Sequence, residues 1–100
     1  VIGRVALMEV SGDHSTGALS NLLIDTLGVD VGISYKVNEH YYNMSLRGEK
    51  DLEEHLGDIS KELGLKYDGF GGGHQRASGI KVPKENIDAI LDELVERINH

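Results

Sequence analysis

Two consecutive segments of the chain alternate apolar and polar residues with a period of two. The apolar positions are Val31, Ile33, Tyr35 and Val37 in the first segment and Tyr42, Met44 and Leu46 in the second. This alternation is typical of strands that bury one face. The short polar segment 38–40 between them predicts a hairpin, whose apolar face must be covered by other parts of the chain.

Three further segments have leucine or isoleucine at helical spacing, in residues 19–27, 51–63 and 85–98. Apolar runs in residues 5–10 and 79–82 predict two more strands, of which the first is expected to be buried on both faces. The predicted order is β-α-β-β-α-loop-β-α. The chain is therefore expected to be a single α/β domain over residues 1–100, with helices packed on a mixed sheet.

The composition limits the classes of function. A net charge of −7 argues against broad, sequence-independent nucleic-acid binding, although a local cluster of cations can oppose the overall charge. The chain has no cysteine, which excludes disulfides and thiolate metal sites and fits a cytoplasmic protein. Because no apolar run approaches membrane-spanning length, we expect no membrane partner.

Five of the thirteen glycines lie in residues 69–79, within the run GFGGGHQRASG. The N–H groups of consecutive glycines can converge on an anion, and phosphate is the usual guest. The phosphate-binding candidates are Gly71, Gly72, Gly73, His74, Arg76 and Arg47, the last at the end of the second hairpin strand. The alternative is a loop that only connects a helix to a strand. Because a protonated imidazole favours an anion, binding is predicted to strengthen below about pH 6.5.

Other chemistry has less support in the sequence. Neither the P-loop pattern nor G-x-G-x-x-G fits the glycine segment. Asp13 and His14 are adjacent, but a catalytic metal typically needs at least three ligands. Ser78 lies near His74 without a third group for nucleophilic catalysis, and His55 is expected to be solvated within the second helix. We therefore predict no catalytic residue and no metal ligand.

The run Ser45-Leu46-Arg47, the GGGH run that ends at His74 and the small residues 77–79 together resemble the C-terminal substrate-binding domain of DHH-family phosphoesterases. That family includes RecJ-like exonucleases, nanoRNases, cyclic dinucleotide phosphodiesterases and related exopolyphosphatases. The resemblance extends to the first helix, at residues 18–23. Two positions depart from the family pattern. Gln75-Arg76 replaces a common proline or small residue, and Gly48 replaces a serine.

The resemblance implies a metal-dependent phosphoesterase of which residues 1–100 are a fragment, inactive alone. The fragment would grip the phosphate of a short single-stranded RNA or DNA, a nucleotide or another phosphorylated substrate. An N-terminal catalytic domain of the same chain would hold the metal ions, usually manganese. The alternatives are a free-standing regulatory module that binds a phosphorylated ligand and a purely structural interaction domain. Base stacking needs an aromatic residue; Tyr67 and Phe70 are nearby, with Phe70 expected in the core.

Overall fold

The computed structural model describes residues 1–12 and 14–100, which form one five-stranded mixed sheet with helices on both faces. The elements are β1 (Val5–Glu9), α1 (Thr16–Leu27), β2 (Val31–Asn38), β3 (Tyr41–Gly48), α2 (Leu56–Lys66), β4 (Phe70–Gly73), β5 (Ala77–Pro83), a 3₁₀ turn (Lys84–Asn86) and α3 (Ile87–Asn99). The strands are ordered β1-β2-β3-β5-β4. Only the β1–β2 pair is parallel. The predicted fold class and the hairpin are confirmed.

The main core lies between one face of this sheet and helices α2 and α3. The alternating positions of β2 and β3 supply Ile33 and Leu46, which pair with each other and are fully buried. The helices contribute their leucine and isoleucine stripes. The fully buried helical residues of this core are Leu56, Leu63, Ile90, Leu94 and Ile98. Burial of such side chains is the main favourable term in folding.

Helix α1 covers part of the opposite face. Ser20 is fully buried there, because it faces the sheet. Its Oγ donates to the carbonyl oxygen of Ser45 at 2.8 Å and accepts from the backbone N–H of Ser34 at 2.9 Å. A side chain at Gly32 would strike the Ser20 carbonyl, so the helix packs directly on the backbone of β2. The helix also reaches the second half of β3, where the Thr16 and Ser45 hydroxyls lie 2.6 Å apart. Among the described residues, the rest of this face, over the start of β3 and over β5 and β4, stays open to solvent.

Two sequence expectations differ from the structure at the sheet edges. β1 was expected to be buried on both faces, but it is an edge strand and only its first half is covered; Met8 is exposed. The segment expected as a loop contains β4, which pairs with β5 as the other edge strand. Both differences arise because strand order is set by long-range pairing, which local patterns do not encode.

Helix α2 starts at Leu56, five residues later than expected, and His55 precedes it instead of lying within it. The His55 Nδ1 accepts from the backbone N–H of Asp58 at 3.1 Å and so caps the helix. Histidine is not among the usual N-cap residues, which explains why the sequence pattern placed the start elsewhere. Among the described residues, no helix has the length and apolar character needed to cross a membrane.

Candidate functional site

The open face of β3, β5 and β4 carries three cross-strand rows of residues, which we call the trough. The rows are Arg47–Ala77–His74, Ser45–Gly79–Gly72 and Asn43–Lys81–Phe70. Residues two apart on a strand share a face, so all three rows point the same way. A cavity of about 320 Å³ lies over the second and third rows. The first row holds two of the predicted site residues, Arg47 and His74.

Arg47 is positioned by backbone carbonyls on two strands. Its Nη1 donates to Leu46 O at 2.9 Å and to Ser78 O at 3.4 Å. A Cβ at Gly17, in the first turn of α1, would come within 2.5 Å of the Arg47 Nη2. Gly17 therefore makes room for the guanidinium. No carboxylate within the described residues forms a salt bridge with Arg47.

His74 follows β4 and is held through its backbone. Its N–H donates to Ala77 O at 2.8 Å, and its carbonyl accepts from the N–H of Gly57 at 2.9 Å. The next carbonyl, of Gln75, accepts from Leu56 N at 2.9 Å. The first N–H groups of a helix have no partner within the helix, and here two of them anchor the turn after β4. The imidazole itself is exposed.

The glycine run has a different geometry from the one expected. Convergent N–H groups would require a curved backbone, whereas Gly71, Gly72 and Gly73 lie in strand β4 and pair with β5. In an extended strand, successive N–H groups point to opposite edges. The three glycines therefore form the floor of the trough and allow β4 to pack closely against its neighbours. They do not form a nest of convergent N–H donors.

The fold requires glycine at two of these positions but not at the third. Gly73 has φ +142°, and a Cβ there would lie 2.6 Å from Ala77 O. A Cβ at Gly71 would meet the Ser60 carbonyl of α2. By contrast, within residues 1–12 and 14–100 no heavy atom outside Gly72 and its two chain neighbours lies within 4 Å of its Cβ position. Since packing leaves room for a side chain at Gly72, its absence keeps the floor of the trough accessible to a ligand.

The trough is locally cationic although the chain is acidic. Strands β3, β4 and β5 contain no aspartate or glutamate, and they place Arg47 and Lys81 on the open face. The Lys81 Nζ lies 4.9 Å from the ring centroid of Tyr41, a cation–π contact that holds the ammonium at one end of the trough. An anion on this face would meet cations without a neighbouring carboxylate on the same strands.

Arg76 and Tyr67 lie outside the trough, and Phe70 is more exposed than expected from the sequence. Arg76 is on the exposed turn, where its Nη1 donates to Lys50 O at 3.1 Å, and is not part of the trough. Tyr67 donates its hydroxyl to Glu93 at 2.6 Å, which raises the pKa of Tyr67 and ties the ring to α3. Phe70 was expected in the core, but 63% of it is exposed. It faces the solvent because it lies on the open face of β4, opposite the face that α2 covers.

The sequence reasoning did not single out Lys81, and it considered Gly79 only among the small residues that follow the glycine run. Their signal is the period of two in β5, which places Ala77, Gly79 and Lys81 on one face. That face can be recognised as part of a site only when the pairing of β4 with β5 is known. The structure thus adds a third row to the predicted site.

The described residues do not fit a metal centre. Apart from residue 13, the chain has no group of three or more His, Asp or Glu side chains that is arranged to hold a metal ion. The pair considered from the sequence includes Asp13, which lies outside the described residues. His14 is exposed.

Comparison with known proteins assigns the domain. Residues 5–100 match the model of the DHHA1 domain. An uncharacterised protein of Methanocaldococcus jannaschii is 31% identical over 100 residues, which is 96% of this chain and 30% of that protein. The chain thus spans about a third of the length of this curated relative.

Solved structures share the fold. A pGpG-specific phosphodiesterase from Vibrio, PggH, superposes with a TM-score of 0.74 at 16% identity, over 99% of this chain and 34% of that chain. The C-Ala domain of alanyl-tRNA synthetase from Aquifex aeolicus gives a TM-score of 0.74 at 18% identity, over 100% of this chain and 96% of that one. At these identities, the likeness concerns the fold.

Proposed function

The chain belongs to the DHHA1 domain family, and on that premise we propose that it is the substrate-binding domain of a metal-dependent phosphoesterase. The ligand would be a short single-stranded nucleic acid or a nucleotide. Arg47 would pair with a phosphate, His74 would donate to the same group, and Gly72 would let the ligand approach the sheet. The similarity to a phosphodiesterase supports this choice of ligand.

The observation that carries the proposal is the first row of the trough. Arg47 and His74 lie on either side of Ala77, on an open face whose strands contain no carboxylate. An arginine can bind a phosphate through two parallel N–H donors. The two carbonyl contacts of the Arg47 Nη1 orient the guanidinium, so Nε and Nη2 are the donors that would bind the anion. The small residue between the two side chains leaves space for the anion.

Hydrolysis is assigned to another part of the protein. We propose that an N-terminal catalytic domain of the same chain holds the metal ions, with manganese as the expected metal, because the described residues offer no metal centre. In this arrangement, the domain orients the substrate and excludes misaligned ligands. Orientation of this kind lowers the entropic cost of reaching the transition state.

An NMR titration of this chain tests the binding role, with inorganic phosphate and the dinucleotide pGpG as separate probes. Phosphate should shift the amides of residues 45–47 and 74–78, and pGpG should shift these amides and those of the second row. Uridine, which has no phosphate, serves as the control ligand. Shifts confined to helix N-termini, or no shift at millimolar phosphate, would contradict the proposal.

The second candidate is a binding module that regulates a partner without hydrolysis. The likeness to the C-Ala structure supports it, since the same fold there belongs to an alanyl-tRNA synthetase and not to a phosphoesterase. The native protein that contains this domain distinguishes the two candidates when it is assayed with pGpG and manganese. Release of mononucleotides supports the phosphoesterase, whereas tight binding without release supports the regulatory module.

A further inference from the structure

We propose that the third row of the trough is a nucleobase subsite in which the ring of Phe70 stacks on a base. This inference rests on the proposed phosphate role of Arg47 and His74. Phe70 is the single phenylalanine of the chain, and it is 63% exposed on an edge strand. It lines the cavity of about 320 Å³ whose floor includes Gly72 and Gly79. An exposed ring beside a glycine floor leaves one flat face available to a ligand.

The distance between the first and third rows indicates the size of a ligand that contacts both. Phe70 is four residues before His74, or about 13 Å at about 3.3 Å per residue. The intervening row has no side chain at Gly72 or Gly79, so a sugar–phosphate backbone can lie across it. A phosphate on the first row and a stacked base on the third are therefore best joined by a dinucleotide, because a mononucleotide has to leave one row empty.

The polar groups of the third row suggest which base is preferred. Lys81 pairs with both Asn43 and Phe70 in the register, so the three side chains project from one row on the same face of the sheet. The contact with Tyr41 keeps the Lys81 Nζ at this end of the trough. Lysine commonly donates to O6 and N7 of guanine, a pair of acceptors on one edge that uracil lacks. The subsite is therefore expected to prefer a guanine dinucleotide over a uracil dinucleotide.

The test compares three probes on three proteins. The probes are ribose 5-phosphate, pGpG and pUpU, and the proteins are the native chain, Phe70→Leu and Phe70→Tyr. Phe70→Leu keeps an apolar side chain but removes the ring, while Phe70→Tyr keeps a ring and is the matched control. Stacking of one base changes affinity by about tenfold or more. We expect Phe70→Leu to weaken pGpG binding by that factor, and we expect Phe70→Tyr and the affinity for ribose 5-phosphate to stay unchanged.

The possible results separate the phosphate-binding role of Arg47 and His74 from the base subsite at Phe70. If ribose 5-phosphate binds at the first row but pGpG binds no tighter and Phe70→Leu changes nothing, the base subsite is wrong and the phosphate role stands. If neither ribose 5-phosphate nor pGpG binds, both proposals fail. Equal affinities for pGpG and pUpU, with a loss of both in Phe70→Leu, would keep the stacking role and overturn the preference for guanine.

Discussion

Arg47 and His74 lie on opposite sides of Ala77, each one strand away from it, and both belong to the first row of the trough. Two strand spacings separate their backbones by about 9–10 Å. They are 27 positions apart in the chain (74 − 47), and the pairing of β3, β5 and the end of β4 brings them together. A single phosphate between the two side chains can therefore be contacted from both sides.

Replacement of Arg47 by glutamine should weaken binding of inorganic phosphate by about tenfold or more. Hydrogen bonds to a charged group contribute about 1.5–3 kcal/mol, and glutamine keeps a donor while it loses the charge. Isothermal titration of Arg47→Gln against the native chain measures the change. Lys61→Gln, which removes a cation from an exposed position on α2, is the control and should bind like the native chain. Equal losses in both variants would point to overall charge instead of a site.

Replacement of His74 by alanine should weaken sulfate binding by about two- to tenfold, because the variant loses the imidazole N–H that we propose donates to an anion on the first row. The affinity is measured by isothermal titration for the native chain, His74→Ala and the control His40→Ala. His40 is exposed in the hairpin turn, outside the trough. Equal affinities in the native chain and His74→Ala would exclude His74 from the site.

Local patterns predicted most of the secondary structure, because the relevant signals are short-range. The alternation in residues 31–37, the leucine spacing in residues 19–27 and the helix end at Gly28 each involve a few adjacent residues. The structure has Gly28 in the left-handed conformation that such a helix end favours. These features form where the sequence placed them.

The trough could be predicted only in part, because it depends on long-range pairing. Arg47 and His74 were singled out individually, yet their common row follows from the position of β5 between β3 and β4. Glycine has low strand propensity, so the sequence of β4 resembles a loop. Here strand formation is favoured by close packing against α2, where Gly57 and Gly64 allow the backbones to approach. Phe70 is exposed because its side chain lies on the face of β4 that points away from α2.

Gly72 and Gly73 should respond differently to alanine. Gly72→Ala adds a methyl group that meets no described residue other than its own chain neighbours within 4 Å. The melting temperature of this variant should therefore stay near that of the native chain, while pGpG binding should weaken. Gly73→Ala places a side chain at φ +142° and against Ala77 O, which should cost about 1–3 kcal/mol. Thermal unfolding should then show a melting temperature lower by roughly 4–8 °C per kcal/mol. Full pGpG affinity in Gly72→Ala would count against a ligand on the trough floor.

Glu54 should stabilise the fold in a pH-dependent way. Arg4 donates to both of its carboxylate oxygens, at 2.7 and 3.0 Å, and this contact lowers the pKa of Glu54 below its ordinary value of 4.5. A carboxyl group with a lowered pKa adds stability above its unfolded pKa, and this stability is lost as the pH falls through the folded pKa.

Glu54→Gln should therefore be less stable than the native chain by about 1–2 kcal/mol at pH 7, since Arg4 is itself partly exposed. The difference should shrink as the pH falls below 4.5. Urea unfolding between pH 3 and 7 measures it, with the exposed neighbour Glu53→Gln as the control. A difference that stays constant down to pH 3 would show that ionisation of Glu54 is not its origin.

Ser20 should contribute more to stability than its size suggests, because it joins α1 to two strands. Ser20→Ala removes the donor to Ser45 O and the acceptor for Ser34 N–H, and it leaves both backbone groups without this partner. The expected loss is about 1–3 kcal/mol, measured by urea unfolding, with the exposed neighbour Asn21→Ala as the control. Hydrogen exchange of the Ser34 amide should also become faster. Because α1 places Gly17 against Arg47, a shifted helix would weaken phosphate binding as well. Native exchange rates in Ser20→Ala would show that the sheet holds Ser34 without the helix.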